Sequence, residues 1–316
     1  MFQDFTDKYK RLVRTQRFKE GIRKIILPGS EGIPLYDIII KFREEVTKAD
    51  ISIRASSISF YFILSIFPGI IFFFSLIPYI PFEHLDEIVM KGLKDLLPQD
   101  AFLLLETTIK DILSIQSGGL VSVNFFLSLF MASNAVNSIM KAFDKINDHE
   151  EERTFWQKRF SAFRLMLLIT LQIIIALLLI IKGKEILLMI INILPTKTSA
   201  TYILLRISKD ILILLSFYNI INVIYYYGLS NKQNFKYFSA GTTFATLFSI
   251  SISIIFQVYT SFLNNFNRLY GSLGIMIVIM MLIYLNAMVL LFGFELNNSI
   301  IINKKLKEED SKKQSN

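Results

Sequence analysis

Residues 272–300 read SLGIMIVIMMLIYLNAMVLLFGFELNNSI, and no charged side chain interrupts them before Glu295. A helix rises about 1.5 Å per residue, so a run of this length crosses a hydrocarbon core about 30 Å thick. It is apolar on all sides, which a helix resting on a soluble core is not. Working outward, five further stretches meet or approach the same standard: 55–80, 120–140, 160–181, 211–227 and 239–260. The fourth is short and extends back to residue 204, with Arg206 and Lys209 reaching along their stems toward the interface. Of the 316 residues, 53% are hydrophobic and 19% charged, a balance that excludes an ordinary soluble domain. The expected fold is all-α, a polytopic membrane protein with six transmembrane helices.

Lys and Arg set the orientation of such a bundle. Segments 1–54, 141–160, 228–238 and 303–316 hold 24 of the 34 basic residues, whereas 81–117, 182–204 and 261–271 hold seven. Both termini are therefore expected in the cytoplasm. In loop 81–117, Leu85, Ile88, Val89, Leu93 and Leu96, and then Phe102, Leu105, Ile109 and Ile112, recur at helical spacing on either side of Pro98. That loop is expected to form a small external helical cap. Residues 1–54 are read as a cytoplasmic N-terminal amphipathic region. Within it, Pro34 opens a helix whose Leu35, Ile38, Ile39, Phe42 and Val46 share a face and should lie along the membrane surface. Residues 301–316 are charged and without periodicity, which predicts a disordered tail. The first 27 residues lack the apolar core of a cleavable signal, so the first span is expected to direct targeting, and no internal repeat is strong enough to assign.

Cysteine is absent, which removes disulfides, thiolate nucleophiles, iron–sulfur clusters and Cys-based zinc sites. The two histidines, His84 and His149, fall on opposite sides of the membrane in this topology, so metal-dependent phosphodiester chemistry lacks its ligands. No serine has a plausible His–Asp pairing, and no Gly-rich phosphate loop occurs. The expectation is a protein that is not an enzyme and takes no cofactor, metal or nucleic acid. The basic stretch of Lys8, Lys10, Arg11, Arg14, Arg17, Lys19, Arg23 and Lys24 then serves orientation and anionic lipid headgroups.

Polar groups inside a bilayer must find partners, so they mark either helix packing or a pathway. Glu295 is the one carboxylate in the last apolar run, followed by Asn297 and Asn298. It reads either as a proton- or cation-handling site facing a cavity or as a helix-end anchor paired with a Lys or Arg. In the second span, Asn124, Asn134 and Asn137 stand among Ser128, Ala132, Ser133 and Ser138, a set suited to lining a path but more to close helix approach with amide bonds across. Ala245, Ser249 and Ser253 repeat that spacing in the fifth span, and Pro68-Gly69 can bend the first.

Three blocks carry a resemblance. Ala55-Ser56-Ser57-Ile58-Ser59-Phe60-Tyr61 with Ser65 and Phe67-Pro68 comes first. Ala142-Phe143-Asp144-Lys145-Ile146, leading to Glu151-Glu152-Arg153 and Phe155-Trp156, follows. Tyr270-Gly271-Ser272-Leu273-Gly274, Tyr284-Leu285 and Gly293-Phe294-Glu295-Leu296-Asn297 complete the set. In this order and at these gaps the chain resembles the bacterial YihY/BrkB membrane proteins, a family once mislabelled ribonuclease BN. It departs at Asp144, Asn147, Leu282 and Phe294, where the family commonly has Asn, Tyr, an aromatic and Ala. The resemblance implies a six-span protein of the bacterial cytoplasmic membrane that translocates or handles an amphipathic envelope molecule, a lipid or lipid-linked precursor. Its partners would be membrane lipids. The alternative is a non-transporting scaffold whose external cap docks an envelope protein, or a homo-oligomer. For transport, the residues implied are Tyr61, Ser65, Pro68, Tyr270, Gly271, Gly274 and Glu295: bending at Pro68 and the glycines, hydrogen bonding at the tyrosines, proton or charge handling at Glu295.

Overall fold

The computed structural model describes residues 25–26, 29–76, 120–146, 154–193, 199–229, 237–262 and 272–315, together with Glu87, Met90, Lys91, Lys94, Phe102, Leu103 and Glu106. Among these residues the chain is helical, with no strand beyond one antiparallel bridge between Ile26 and Pro34. The helices are α1 (Leu35–Lys48), α2 (Ile51–Leu76), α3 (Leu120–Ile146), α4 (Phe155–Ile193), α5 (Ser199–Gly228), α6 (Ala240–Phe262) and α7 (Ser272–Ser315). The described positions of loop 81–117 are helical too, and the rest of the expected cap lies outside the described residues.

Four stretches are long and apolar enough to cross a membrane: Phe155–Ile180 in α4, Leu205–Gly228 in α5, Ala240–Tyr259 in α6 and Ile277–Lys313 in α7. A fifth results if α1 and the part of α2 up to Ile66, bent by 64°, count as one broken span. Against the expectation of six, α3 is not, over its described residues, among the helices long and apolar enough to cross. Only 11% of the residues in the most apolar part of α4, and 28% of those in α7, are buried. Ile175, Ile203, Ile255 and Ile277 accordingly face outward. An apolar exterior around a thin packed seam is the inverse of a water-soluble bundle, because lipid tails accept Ile and Leu as readily as a core does. The chain is a multi-pass membrane protein.

The helices pack as neighbours in pairs, α2 on α3, α4 on α5 and α6 on α7, and α7 returns to α2 to close the bundle. At one end, Phe143 of α3 stacks on Phe294 of α7 at 4.1 Å between ring centres. Tyr225 of α5 meets both rings edge-on at 5.8 and 5.9 Å. Its hydroxyl donates to the Leu290 carbonyl at 2.7 Å, so the buried O–H is satisfied by α7. A second seam joins Ala132, Val136 and Met140 of α3 to Ala162, Leu165 and Met166 of α4.

Two expectations are revised. The apolar face of α1 does not simply lie on a membrane: Ile38 is buried with Ile33, Ala240 and Ile300, and the Phe42 and Phe292 rings stand 6.2 Å apart. Ile39 and Ile40 remain exposed, so the stripe is wider than the groove that receives it. The tail, expected to be disordered, continues α7 to Ser315. Its Lys, Glu and Gln are good helix formers, and Lys304 is tied to Glu31 at 2.7 Å, so the helix continues past the apolar run.

Candidate functional site

The α6–α7 crossing is set by two glycines. A Cβ on Gly293 would stand 2.6 Å from the Gly241 carbonyl oxygen and 2.8 Å from the Ala245 Cβ. Only hydrogen fits there, and the backbones meet as small residues allow in membranes. The approach brings Asn297 to the N-terminus of α6, where its Oδ1 accepts from the Gly241 N–H at 2.7 Å and its Nδ2 donates to Ser239 Oγ at 2.9 Å. Ser239 Oγ in turn accepts the Thr242 N–H at 3.1 Å, as an N-cap serine should. Orphan donors of one helix are thus satisfied by a side chain of the next.

Two residues before Asn297, Glu295 turns toward the elbow between α1 and α2. The carboxylate is fully buried, and among the described residues neither oxygen has a hydrogen-bond partner of good geometry. Glu45, Arg54, Lys41 and Asn298 are near enough to act on its charge, Asn298 through its side-chain amide, but none of them forms a salt bridge or a well-aligned hydrogen bond with it. One turn on, the buried Ser299 Oγ is also without a hydrogen-bond partner among the described residues. A carboxylate without a close ion pair in a low-dielectric interior costs several kcal/mol unless a proton or a cation neutralises it.

The elbow itself is held by short-range contacts. Asp50 takes φ +46°, a left-handed turn that Asp tolerates. Its carbonyl accepts the Ile53 and Arg54 N–H groups at 3.0 and 3.2 Å, starting α2. Ser52 and the Tyr284 hydroxyl lie 2.9 Å apart, and Asn303 donates to the Asp37 carbonyl at 3.2 Å, so α7 flanks α1 and the start of α2 on either side of Glu295.

The other residues singled out from the sequence fall elsewhere. Tyr61 is exposed, its ring edge-on to Phe60 at 5.7 Å. Ser65 donates to the Met131 carbonyl of α3 at 3.0 Å. Pro68 is half-buried within α2, and beside it Gly69 faces Ala132. Asn137 is half-buried in α3, and Asn134 accepts a hydrogen bond from Arg159 at 2.9 Å. Gly274 lies in the first turn of α7, while Tyr270, Gly271, His84 and His149 lie outside the described residues. Among the described residues no three His, Cys, Asp or Glu side chains converge as a metal site would need.

The sequence reading missed Ser239, Gly241 and Arg159. The serine ahead of a helix-spaced run was a legible cap signal. The glycine and the arginine act through partners 56 and 25 residues away, which no local pattern reveals.

Among curated proteins, the chain is 29% identical over 259 residues to the ribonuclease-like protein YfkH of Bacillus subtilis (strain 168), covering 81% of this chain and 92% of that one. No solved structure matches. Residues 42–316 match the family described as virulence factor BrkB, which takes in α2 to α7 and with them Glu295, and the chain therefore belongs to the BrkB family.

Proposed function

We propose that the protein sits in the bacterial cytoplasmic membrane with six spans and both termini inside, and that it handles or translocates an amphipathic envelope molecule, a lipid or lipid-linked precursor. The observation that carries this is the buried, unpartnered carboxylate of Glu295 in the bundle of a membrane protein. Ionisable groups at membrane depth are costly and mark pathways for protons, ions or charged substrates. Loading and unloading Glu295 with a proton or cation changes the charge at the elbow where α1, α2 and α7 meet, which is what coupling a gradient to movement requires. The outward apolar faces of α4 to α6 keep acyl chains in contact with the bundle. The ribonuclease-like description of the Bacillus protein does not extend to this chain in our reading, because the proposed topology puts His84 and His149 on opposite sides of the membrane and no metal-ligand cluster converges among the described residues.

Purified protein in proteoliposomes tests this by the redistribution of a labelled phospholipid, with and without a proton gradient, for the wild type and Glu295→Gln. Gradient-dependent redistribution that is lost in Glu295→Gln is the expected result. Redistribution equal to that of empty liposomes, in a folded and correctly oriented protein, would overturn transport and leave a scaffold docking its partner through loop 81–117.

A further inference from the structure

A second charge without an ion-pair partner among the described residues sits on the α3–α4 seam, apart from Glu295. Arg159 stands in the second turn of α4 and is 7% exposed. Its guanidinium lies over the Phe130 ring of α3, 3.4 Å from the centroid, with the Phe163 ring at 5.6 Å. Nη1 donates to Asn134 Oδ1 at 2.9 Å, while Nε is buried and has no partner among the described residues. A guanidinium has five N–H donors and never sheds its charge in a protein. Here it meets a neutral amide and aromatic faces and, among the described residues, no carboxylate.

Its depth is readable from its neighbours. Phe155, Trp156 and Phe160 on the same two turns are 65%, 77% and 70% exposed. A Trp flanked by Phe at the start of an apolar span is the aromatic belt of a membrane interface, at the level of the lipid headgroups. Arg164, one turn further in, is exposed and lies over the Tyr227 ring at 5.3 Å. An interface at the level of Trp156 would put two arginines where lipid phosphates lie, one of them held by packing with donors to spare.

We propose that Arg159, positioned by Asn134 and Phe130, binds the phosphate of an anionic membrane lipid in the α3–α4 seam. The aromatic faces fix the guanidinium plane, Asn134 fixes its rotation, and the remaining N–H groups donate charge-assisted hydrogen bonds to the phosphate oxygens. The lipid's acyl chains lie against Phe155, Trp156 and Phe160. The site stands whether or not the protein moves lipid, since it requires binding alone.

The test uses the full chain purified in a neutral detergent. Thermal midpoint and native mass spectrometry are followed on titration with phosphatidylglycerol, with a phosphate-free diglycosyl diacylglycerol and with inorganic phosphate, for the wild type, Arg159→Gln and Arg159→Lys. Phosphatidylglycerol should bind the wild type and raise its midpoint, with affinity about tenfold weaker in Arg159→Gln and intermediate in Arg159→Lys. The phosphate-free lipid should do neither. Equal titrations in all three proteins would overturn the proposal, and inorganic phosphate as effective as phosphatidylglycerol would overturn the lipid as its source. Should the variants not fold, a photoreactive phosphatidic acid on the wild type decides. Label on peptides containing residues 126–134 or 154–164 supports the site, and label confined to other helices refutes it.

Discussion

With Gly241 and Gly293 the α6–α7 crossing has no room for a single methyl group. Gly293→Ala must push its Cβ against the Gly241 carbonyl and Ala245. The expected destabilisation is about 1–3 kcal/mol, read as a lower thermal midpoint in detergent. The same displacement takes Asn297 from the Gly241 N–H, so exchange of the α6 N-terminal amides should rise with it. Glu295 predicts the opposite sign. Because its carboxylate is buried without a partner, Glu295→Met removes a penalty and should raise the midpoint, while Glu295-dependent lipid movement is lost. A lower midpoint for Glu295→Met would mean that the carboxylate is satisfied in the membrane. Glu295 was legible in the sequence as an isolated charge in an apolar run. Whether a cation paired with it was not, because Lys41, Glu45 and Arg54 stand more than 200 positions away along the chain.

At the scale of elements, α1 depends on charge as well as on its docking to α7. Lys48 and Lys41 hydrogen-bond to Glu44 at 2.7 and 3.1 Å, and Lys41 also pairs with Glu45 at 3.0 Å. The bond from Lys48, then that from Lys41, holds the Glu44 carboxyl below its ordinary value of 4.5. A depressed carboxylate supports the folded helix above that ordinary value and loses its contribution as pH falls through the lowered one. Acidification should therefore loosen α1 first, seen as faster amide exchange in 36–48 after correction for intrinsic rates while α6 stays protected. Uniform loss of protection across α1 and α6 would show that the network adds nothing local. The start of α1 at Pro34 was legible because proline suits a helix opening. The docking of its apolar face onto α7 was not, since an amphipathic stripe has the same pattern against lipid and against protein.

At the scale of the whole molecule, the proposed topology is open to direct measurement because the chain has no cysteine. Single cysteines introduced at residues 20 and 310 should react with an impermeant maleimide in intact cells only after permeabilisation, and one at residue 90 should react without it. Labelling of residue 310 in intact cells would reverse or change the span count. The sequence by itself determined the membrane class, the helical fold and the approximate runs of α4 to α7. Transfer of a side chain into hydrocarbon is a local quantity that sums along a run, and a lone backbone in lipid can satisfy itself only as helix. Only the tertiary structure decided that Glu295 forms no ion pair among the described residues, that Arg159 lies between Phe130 and Asn134, and that Asn297 completes the start of α6. Lipid tails are as apolar as leucine, so hydropathy does not distinguish a helix face turned to the bilayer from one turned to a neighbour. Which faces meet is settled by small residues and polar partners distant in sequence.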